Sequence, residues 1–284
     1  MRNLLKLEFK KLFKTKMFWG ALIIGTLLVV LQSSWAYRCI YQTNNEAFMY
    51  YNEEGKIMSS WFETGILQGW LGYESYSSYN TLFYMIFPLL ATMPYGLSLF
   101  KEWNYGYAAQ IIMREKRCNY FISKYIVTFV SGGIVASYPL ILSLIVSACY
   151  LPAIGIDVMS LQGLANNDRW IEIFYEHPLL YAFIFIVLNF IHGGIFATIT
   201  TVVSSWCING FMALVFPMLL NIFLTMGLVN IFPVIRKYIP GMFINPNTVS
   251  EVFSGDVTIG ITVVLVLIIV VLYWLNNKKL DELE

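Results

Sequence analysis

The chain has 284 residues, of which 58% are hydrophobic and 12% are charged. Soluble domains have about a quarter of their residues charged, so a water-soluble globule is excluded. The net charge of +1 provides no overall basic field of the kind that holds nucleic acid. Aromatic residues make up 17% of the chain, which suits a protein that crosses many membrane–water boundaries. The composition therefore predicts a membrane protein whose first partner is the lipid bilayer.

Apolar runs predict six membrane-spanning helices, because a span needs about 20 predominantly apolar residues. The predicted spans are Met17 to Tyr37, Tyr79 to Phe100, Tyr125 to Tyr150, Pro178 to Ser205, Cys207 to Phe232 and Val257 to Trp274. No stretch between them is long and polar enough for a soluble domain. Residues 1–284 are therefore expected to form one all-α polytopic domain. The first run has full span length and no A-x-A cleavage site after it, so we expect it to be retained as a span.

Lysine and arginine are distributed unevenly between the two predicted sides. The N-terminal segment, the loop after the second span and the C-terminus carry thirteen of them, whereas the opposite loops carry five. The positive-inside rule places the more basic side in the cytoplasm. Both termini are therefore expected to be cytoplasmic, and residues 38–78 are expected to form an outer loop.

Motifs of enzymatic chemistry are missing from the sequence. It contains no phosphate-binding loop and no zinc-protease or serine-hydrolase signature, so we expect no catalytic residue, cofactor or metal in this chain. Cys39, Cys118, Cys149 and Cys207 lack metal-ligand spacing and are expected to be small buried hydrophobes, with a Cys39 to Cys149 disulfide as the alternative. His192 lies within a span without an acidic partner, which favours a packed side chain over a functional one.

Residues 1–16 have the pattern of an amphipathic helix. Four apolar residues share one helical face, two leucines stray from it, and the lysines face largely elsewhere. The shared face holds Leu5, Phe9, Leu12 and Phe13, and the stray residues are Leu4 and Leu7. This pattern predicts an interfacial helix that leads into the first span.

Residues 101–124 combine a glutamate at the end of the second span, a short helix-forming stretch and a basic cluster. Glu102 could pair with Arg117 or Lys124, and Gly106 would let the backbone turn tightly. Arg114 belongs to the same basic cluster. A charged helix held between two spans has the form of a docking element, and its alternative is a solvated connecting loop.

These features together resemble the permeases of ATP-binding-cassette (ABC) type 2 transporters, especially short six-span permeases of antimicrobial-peptide export or immunity systems. The resemblance is carried by the amphipathic N-terminal helix and the six-span plan over the whole chain. It is also carried by the Glu102-x-x-x-Gly106 pattern after the second span and by the Arg117-x6-Lys124 spacing at the third.

The resemblance implies a permease that pairs with a second permease, identical or related, and with two ATP-binding subunits. ATP and Mg²⁺ would be held by those subunits. Residues 1–16 would be a connecting helix and residues 101–124 a cytoplasmic coupling loop. The residues implied in coupling are Glu102, Gly106, Arg114, Arg117 and Lys124. The implied location is the bacterial plasma membrane.

The outer loop, residues 38–78, combines five glutamates with seven tyrosine and tryptophan residues. Charge pairing, cation–π contact and apolar burial would suit a cationic amphipathic peptide. The candidate contact residues are Glu53, Glu54, Trp61, Glu63 and Trp70. A structural cap over the bundle is the alternative for this loop. For the whole chain, a lipid or glycan exporter and a non-transporting scaffold or sensor stay open.

Overall fold

A computed structural model of the chain describes residues 2–47, 65–73, 78–113, 117–151, 170–204, 206–207, 209–246 and 255–281. Over these ranges the chain forms helices and turns without a β-strand, which confirms the all-α class. The helices are α1 (Arg2–Lys14), α2 (Lys16–Ala47), α3 (Ser78–Thr92), α4 (Ser98–Asn104), α5 (Tyr107–Ile112), α6 (Arg117–Tyr150), α7 (Ile171–Glu176), α8 (Pro178–Ser204), α9 (Gly210–Ile222), α10 (Val229–Ile231), α11 (Pro240–Phe243) and α12 (Gly255–Asp281). Short 3₁₀-helices cover Ile66–Gly69 and Pro233–Tyr238, and a π-helical turn, Phe223–Leu228, joins α9 to α10.

Five helices are long and apolar enough to cross a membrane. They cover Lys16–Cys39, Cys118–Tyr150, Pro178–Ser204, Gly210–Ile231 and Gly255–Leu272. Each overlaps one of the predicted spans, and together they support a multi-pass membrane protein. The expected total of six spans stays a prediction.

The predicted second span is not one continuous helix. Helix α3 has 15 residues, which is short of the about 20 that a straight crossing needs. It ends at Thr92, and the chain turns through residues 93–97 before α4 begins. Pro94 explains the break, because proline has no N–H to donate and disfavours a helical conformation at the preceding residue, Met93.

Helices α6 and α8 pack closely at the centre of the bundle, and glycines allow the approach. A Cβ added at Gly132 would lie 2.6 Å from the carbonyl oxygen of Gly193, and one added at Gly193 would lie 2.4 Å from the Cβ of Ala136. Neither distance leaves room for a side chain. Small residues at these positions therefore let the two helices pack closely, as is common between membrane helices.

Helix α1 packs against α6 at one end of the bundle. Its buried residues are Leu4, Glu8 and Leu12, which recur every four positions and so lie on one helical face. The predicted face was therefore partly wrong, since Leu4 belongs to the buried stripe and Phe13 is exposed. The stripe also carries a fully buried carboxylate.

Three distant parts of the chain meet at this end of the bundle. Helices α4 and α5 contribute Leu99 and Ala108 to a small apolar cluster with Tyr120 of α6. Leu272, near the C-terminal end of α12, packs against the same cluster. The N-terminal helix, the loop after α3 and the last turns of α12 therefore share one end, as the distribution of basic residues predicted.

Candidate functional site

Four charged side chains form a buried cluster between α1, α4 and α6. We call Glu8, Lys11, Glu102 and Lys124 the charged cluster. The Lys124 Nζ atom lies 2.5 Å from Glu8 Oε2 and 2.8 Å from Glu102 Oε1. The Lys11 Nζ atom lies 2.9 Å from Glu102 Oε1 and 3.1 Å from Glu8 Oε1. Each lysine therefore contacts both glutamates, and the four formal charges cancel.

Two tyrosines complete the hydrogen bonding of the cluster. The hydroxyl of Tyr95 donates to the Glu8 carboxylate, and that of Tyr120 donates to Glu102 Oε2 at 2.7 Å. The Lys124 ammonium lies 3.3 Å from the Tyr95 hydroxyl oxygen and 4.9 Å from the centre of the Tyr95 ring. These contacts matter because a buried ion pair offsets its desolvation cost only when its remaining donors and acceptors are also satisfied.

The cluster runs from the bundle interior toward solvent. Glu8 and Lys124 are fully buried, whereas the side chains of Glu102 and Lys11 are 14% and 30% exposed. Burial by itself would raise the pKa of Glu102, but the charge of Lys124 and the hydrogen bonds from Lys124, Tyr120 and Lys11 outweigh it and lower that pKa. Burial likewise acts to lower the pKa of Lys11, and the two glutamates reverse the effect and raise it. Both groups are therefore held in their charged forms.

Helical spacing explains how the sequence assembles this site. Glu8 and Lys11 are three residues apart on α1, and Tyr120 and Lys124 are four apart on α6, so each pair shares a helix face. Tyr95 comes from the turn that Pro94 imposes after α3. The break in the predicted second span thus places Tyr95 in contact with the cluster. It also sets the start of α4, the helix that carries Glu102.

Gly106 forms the tight turn between α4 and α5. Its φ angle is +70°, a left-handed conformation that side-chain-bearing residues other than Asn and Asp rarely adopt. The N–H of Tyr105 donates to the Lys101 carbonyl and that of Gly106 donates to the Trp103 carbonyl, both at 3.0 Å. The expected tight turn is confirmed, and it folds α5 back beside α4.

The hairpin of α4 and α5 is held against the bundle but has an exposed tip. The Trp103 and Phe121 rings stack with centroids 6.4 Å apart, and Lys11 Nζ lies 4.4 Å from the centre of the Tyr107 ring. In contrast, Tyr105 in the turn at the tip is 84% exposed. A partner could therefore contact this tip without displacing the charged cluster.

The structure describes some of the predicted coupling residues and not others. Of the two partners predicted for Glu102, Arg117 and Lys124, it shows the pair with Lys124. Arg114 and the side chain of Arg117 lie outside the described part of the chain. Sequence reasoning did not select Glu8 or Lys11 for this site. A signal for Glu8 was present, because it stands midway between Leu4 and Leu12 on one helical face.

One predicted substrate residue lies in the core. Trp70 is fully buried there, and its indole N–H donates to the Leu140 carbonyl at 2.9 Å, so it does not lie on an exposed surface of the outer loop. Glu53, Glu54, Trp61 and Glu63 lie outside the described residues. The prediction for those four residues stays open.

Polar side chains hold the backbone around Trp70 inside the bundle. Gln32 donates to the Gly69 carbonyl at 2.7 Å, and Ser143 accepts from the Leu71 N–H at 2.8 Å. Asn80 donates to the Leu71 carbonyl at 2.7 Å. Non-helical backbone at membrane depth needs such partners, because lipid offers none. The end of the predicted outer loop is thus a packed part of the bundle.

Neither His192 nor the cysteines form part of a recognisable catalytic or metal site among the described residues. His192 is fully buried, its Nδ1 lies 2.9 Å from the Leu188 carbonyl oxygen, and its ring packs on Phe243, which agrees with the packed interpretation. Cys149 is an exposed free thiol, so the disulfide with Cys39 is not formed; Cys118 is also exposed, contrary to the expected burial. Among the described residues no group of three or more His, Cys, Asp or Glu could hold a metal.

The fold and site define an all-helical chain with five helices suited to crossing a membrane and a neutral ionic cluster at one end of the bundle. Comparisons with protein-family models, curated proteins and solved structures found no match to this chain. The resemblance to ABC permeases therefore stays a prediction.

Proposed function

We propose that this chain is the membrane-spanning permease subunit of an ABC transporter. In this proposal two separate ATP-binding subunits hydrolyse ATP, and a second permease, identical or related, completes the assembly. The chain lies in a bacterial plasma membrane with both termini in the cytoplasm. The charged cluster is the observation that carries the proposal, since it joins the three segments that a coupling mechanism requires.

Mechanical continuity supports this function. Glu102 belongs to α4 in the proposed coupling loop, and it bonds both to Lys124 at the start of a long apolar helix and to Lys11 in the N-terminal helix. A displacement of α4 would therefore act on α1 and α6 together. Binding of ATP to a partner would change the relative stability of two arrangements of these helices.

The exposed tip of the α4–α5 hairpin supports docking of a partner. Tyrosine is enriched in protein interfaces, and Tyr105, which lies in the turn, is the most exposed large apolar residue of this hairpin. The tip and the charged cluster would then have separate roles, with the tip binding the ATPase subunit and the cluster transmitting its motion.

The proposal is tested by co-expressing this chain with an ATP-binding subunit that is encoded beside its gene. We expect Tyr105→Ala to reduce co-purification of that subunit, and Glu102→Gln to preserve co-purification while lowering substrate-stimulated ATPase activity. Glu172→Gln, which changes an exposed glutamate in α7, is the matched control and should behave like the parent. Transport and ATPase activity unaffected by both test variants would contradict the coupling role.

For the substrate we propose a cationic amphipathic peptide, recognised by the acidic outer loop. Five glutamates lie in residues 38–78 beside seven tyrosine and tryptophan residues, which supports charge pairing with a basic peptide. Replacing Glu46, Glu53, Glu54, Glu63 and Glu74 together with glutamine should weaken peptide stimulation of ATPase activity. The effect should be larger at low salt, where exposed charges are least screened. Stimulation by a lipid or glycan instead would identify a different exporter.

A further inference from the structure

A cavity lies beside the charged cluster, where α1 passes into α2. Its volume is about 210 Å³, several times the roughly 30 Å³ that one water molecule occupies in the liquid. The turn at residues 93–97, the start of α4 and one residue of α9 form the other walls. The cavity is partly open to the outside, so one part of a larger molecule can occupy it while the rest stays outside.

The position of the cavity corresponds to the headgroup layer of a bilayer. The first apolar span begins at Lys16, directly after Thr15 in the cavity wall. Phe13 and Trp19 are exposed at the same junction, and the Trp19 indole N–H donates to the Phe13 carbonyl at 2.9 Å. Exposed aromatic rings at the end of a span are typical of the membrane–water interface.

The polar wall of the cavity offers unused hydrogen-bond donors and one uncompensated positive charge. Lys101 is exposed and makes no ion pair with any described residue. The buried Ser98 Oγ has no hydrogen-bond partner within the described ranges. Since the charges of the cluster cancel, Lys101 leaves the cavity with a positive charge. An anionic oxygen would pair with Lys101 and accept a hydrogen bond from Ser98.

Most of the cavity wall is apolar. Met93 and Leu214 line it, and they suit a hydrocarbon chain better than a soluble anion. Two exposed lysines at the junction with the first span, Lys14 and Lys16, would raise the local concentration of anionic lipid. Phosphate and acyl chain would then meet complementary surfaces in the same cavity.

We propose that this cavity binds one anionic phospholipid, with its phosphate at Lys101 and Ser98 and an acyl chain against Met93 and Leu214. The bound lipid lies between α1, α4 and α9 and adjoins Lys11 and Glu102. It thereby ties the charged cluster to the surrounding bilayer. The proposal does not depend on the transported substrate or on the presence of an ATPase subunit.

The test uses the full chain in detergent, titrated with phosphatidylglycerol or with phosphatidylcholine of the same acyl chains, and native mass spectrometry counts bound lipid. We expect preferential binding of one phosphatidylglycerol. Lys101→Ser should weaken that binding about fivefold, because it removes the one positive charge that pairs directly with the phosphate in the cavity. Ser98→Ala and the cavity-filling Leu214→Phe should also weaken it. Lys10→Ser, which removes an exposed lysine outside the cavity, is the matched control and should bind like the parent.

Each contrary outcome overturns the assignment. Equal weakening by Lys10→Ser and Lys101→Ser would indicate diffuse attraction to the basic surface. Equal affinity for phosphatidylcholine would exclude selection of an anionic headgroup. Inorganic phosphate bound as tightly as phosphatidylglycerol would identify a soluble ligand. Circular dichroism and size-exclusion profiles matching the parent establish that each variant is folded, and Ser98→Ala makes the smallest structural change of the set.

Discussion

The Glu8 carboxylate and the Lys124 ammonium lie 2.5 Å apart, and both side chains are completely buried. One belongs to the N-terminal helix and the other to α6, so the pair holds two helices from distant parts of the sequence together. Helix α1 is therefore a component of the bundle and not only a surface helix. Separation of α1 from α6 would leave two charges without their partners in an environment that solvates them poorly.

Removing Lys124 should destabilise the protein strongly. Lys124→Met leaves Glu8 and Glu102 close together with only Lys11 to balance them. The loss of one partner from a buried ion pair costs about 3–5 kcal/mol. Thermal unfolding in detergent should show a large decrease in Tm, whereas Lys10→Met, at an exposed position, should cause little change. If the two variants unfold alike, the charged cluster does not stabilise the bundle.

The double variant Glu8→Gln with Lys124→Met should be more stable than the sum of the two single effects predicts. Direct partners show coupling energies of about 0.5–3 kcal/mol in such cycles. Unfolding of the parent, both single variants and the double variant measures this coupling. An additive result would show that Glu8 and Lys124 do not interact in the folded protein.

The contribution of Glu102 to stability should depend on pH. Its pKa in the folded protein is lowered from about 4.5, so the folded state favours the carboxylate more than the unfolded state does. The stabilisation is complete above the unfolded value and is lost as the pH falls through the folded value. Parent and Glu102→Gln should therefore differ most in Tm near neutral pH and converge as the pH falls through the lowered pKa of Glu102 in the folded protein. A difference that grows on acidification would contradict the ion pairing.

A β-branched residue at position 106 should strain the α4–α5 turn. The left-handed conformation of Gly106 costs other residues about 1–2 kcal/mol, although no atom lies within 4 Å of an added Cβ. Gly106→Val should lower partner-dependent ATPase activity without reducing membrane insertion. Gly106→Asn is the control, because asparagine tolerates this conformation, and it should retain more activity. Equal activity of the two variants would remove the backbone explanation.

Trp70 should affect stability and not substrate affinity. Trp70→Ala removes a fully buried ring, a change that typically costs about 3–5 kcal/mol. Trp206 is 62% exposed, so Trp206→Ala is the comparison and should change Tm much less. A selective loss of peptide binding by folded Trp70→Ala, at unchanged Tm, would restore a surface role for this residue.

Labelling of single cysteines tests the predicted orientation. In a variant with the four native cysteines replaced, Glu54→Cys and Asp168→Cys should react with an impermeant reagent in intact cells. Lys116→Cys should react only after the cells are opened, because the basic segments are expected in the cytoplasm. The opposite pattern would place the α4–α5 hairpin outside the cell and contradict the proposed coupling function.

The apolar helices could be predicted from the amino-acid sequence by itself. The positions of lysine and arginine also predicted that three basic segments lie at the same end of the helix bundle. It also indicated Glu102, Lys124 and Gly106, since a charge beside a span and a glycine between helices are local features. Hydropathy and span length are sums over neighbouring residues, so they can be calculated without knowing the fold.

The tertiary structure decided which face of each helix is buried. The burial of Glu8, the inward position of Trp70 and the contribution of Tyr95 all depend on helices that come from distant parts of the chain. A helix can rotate about its axis without any change in its own hydropathy, and only its packing partners select one orientation. For the same reason, the burial of Glu8 on the apolar stripe of α1 depends on Lys124, which lies opposite it only in the folded protein.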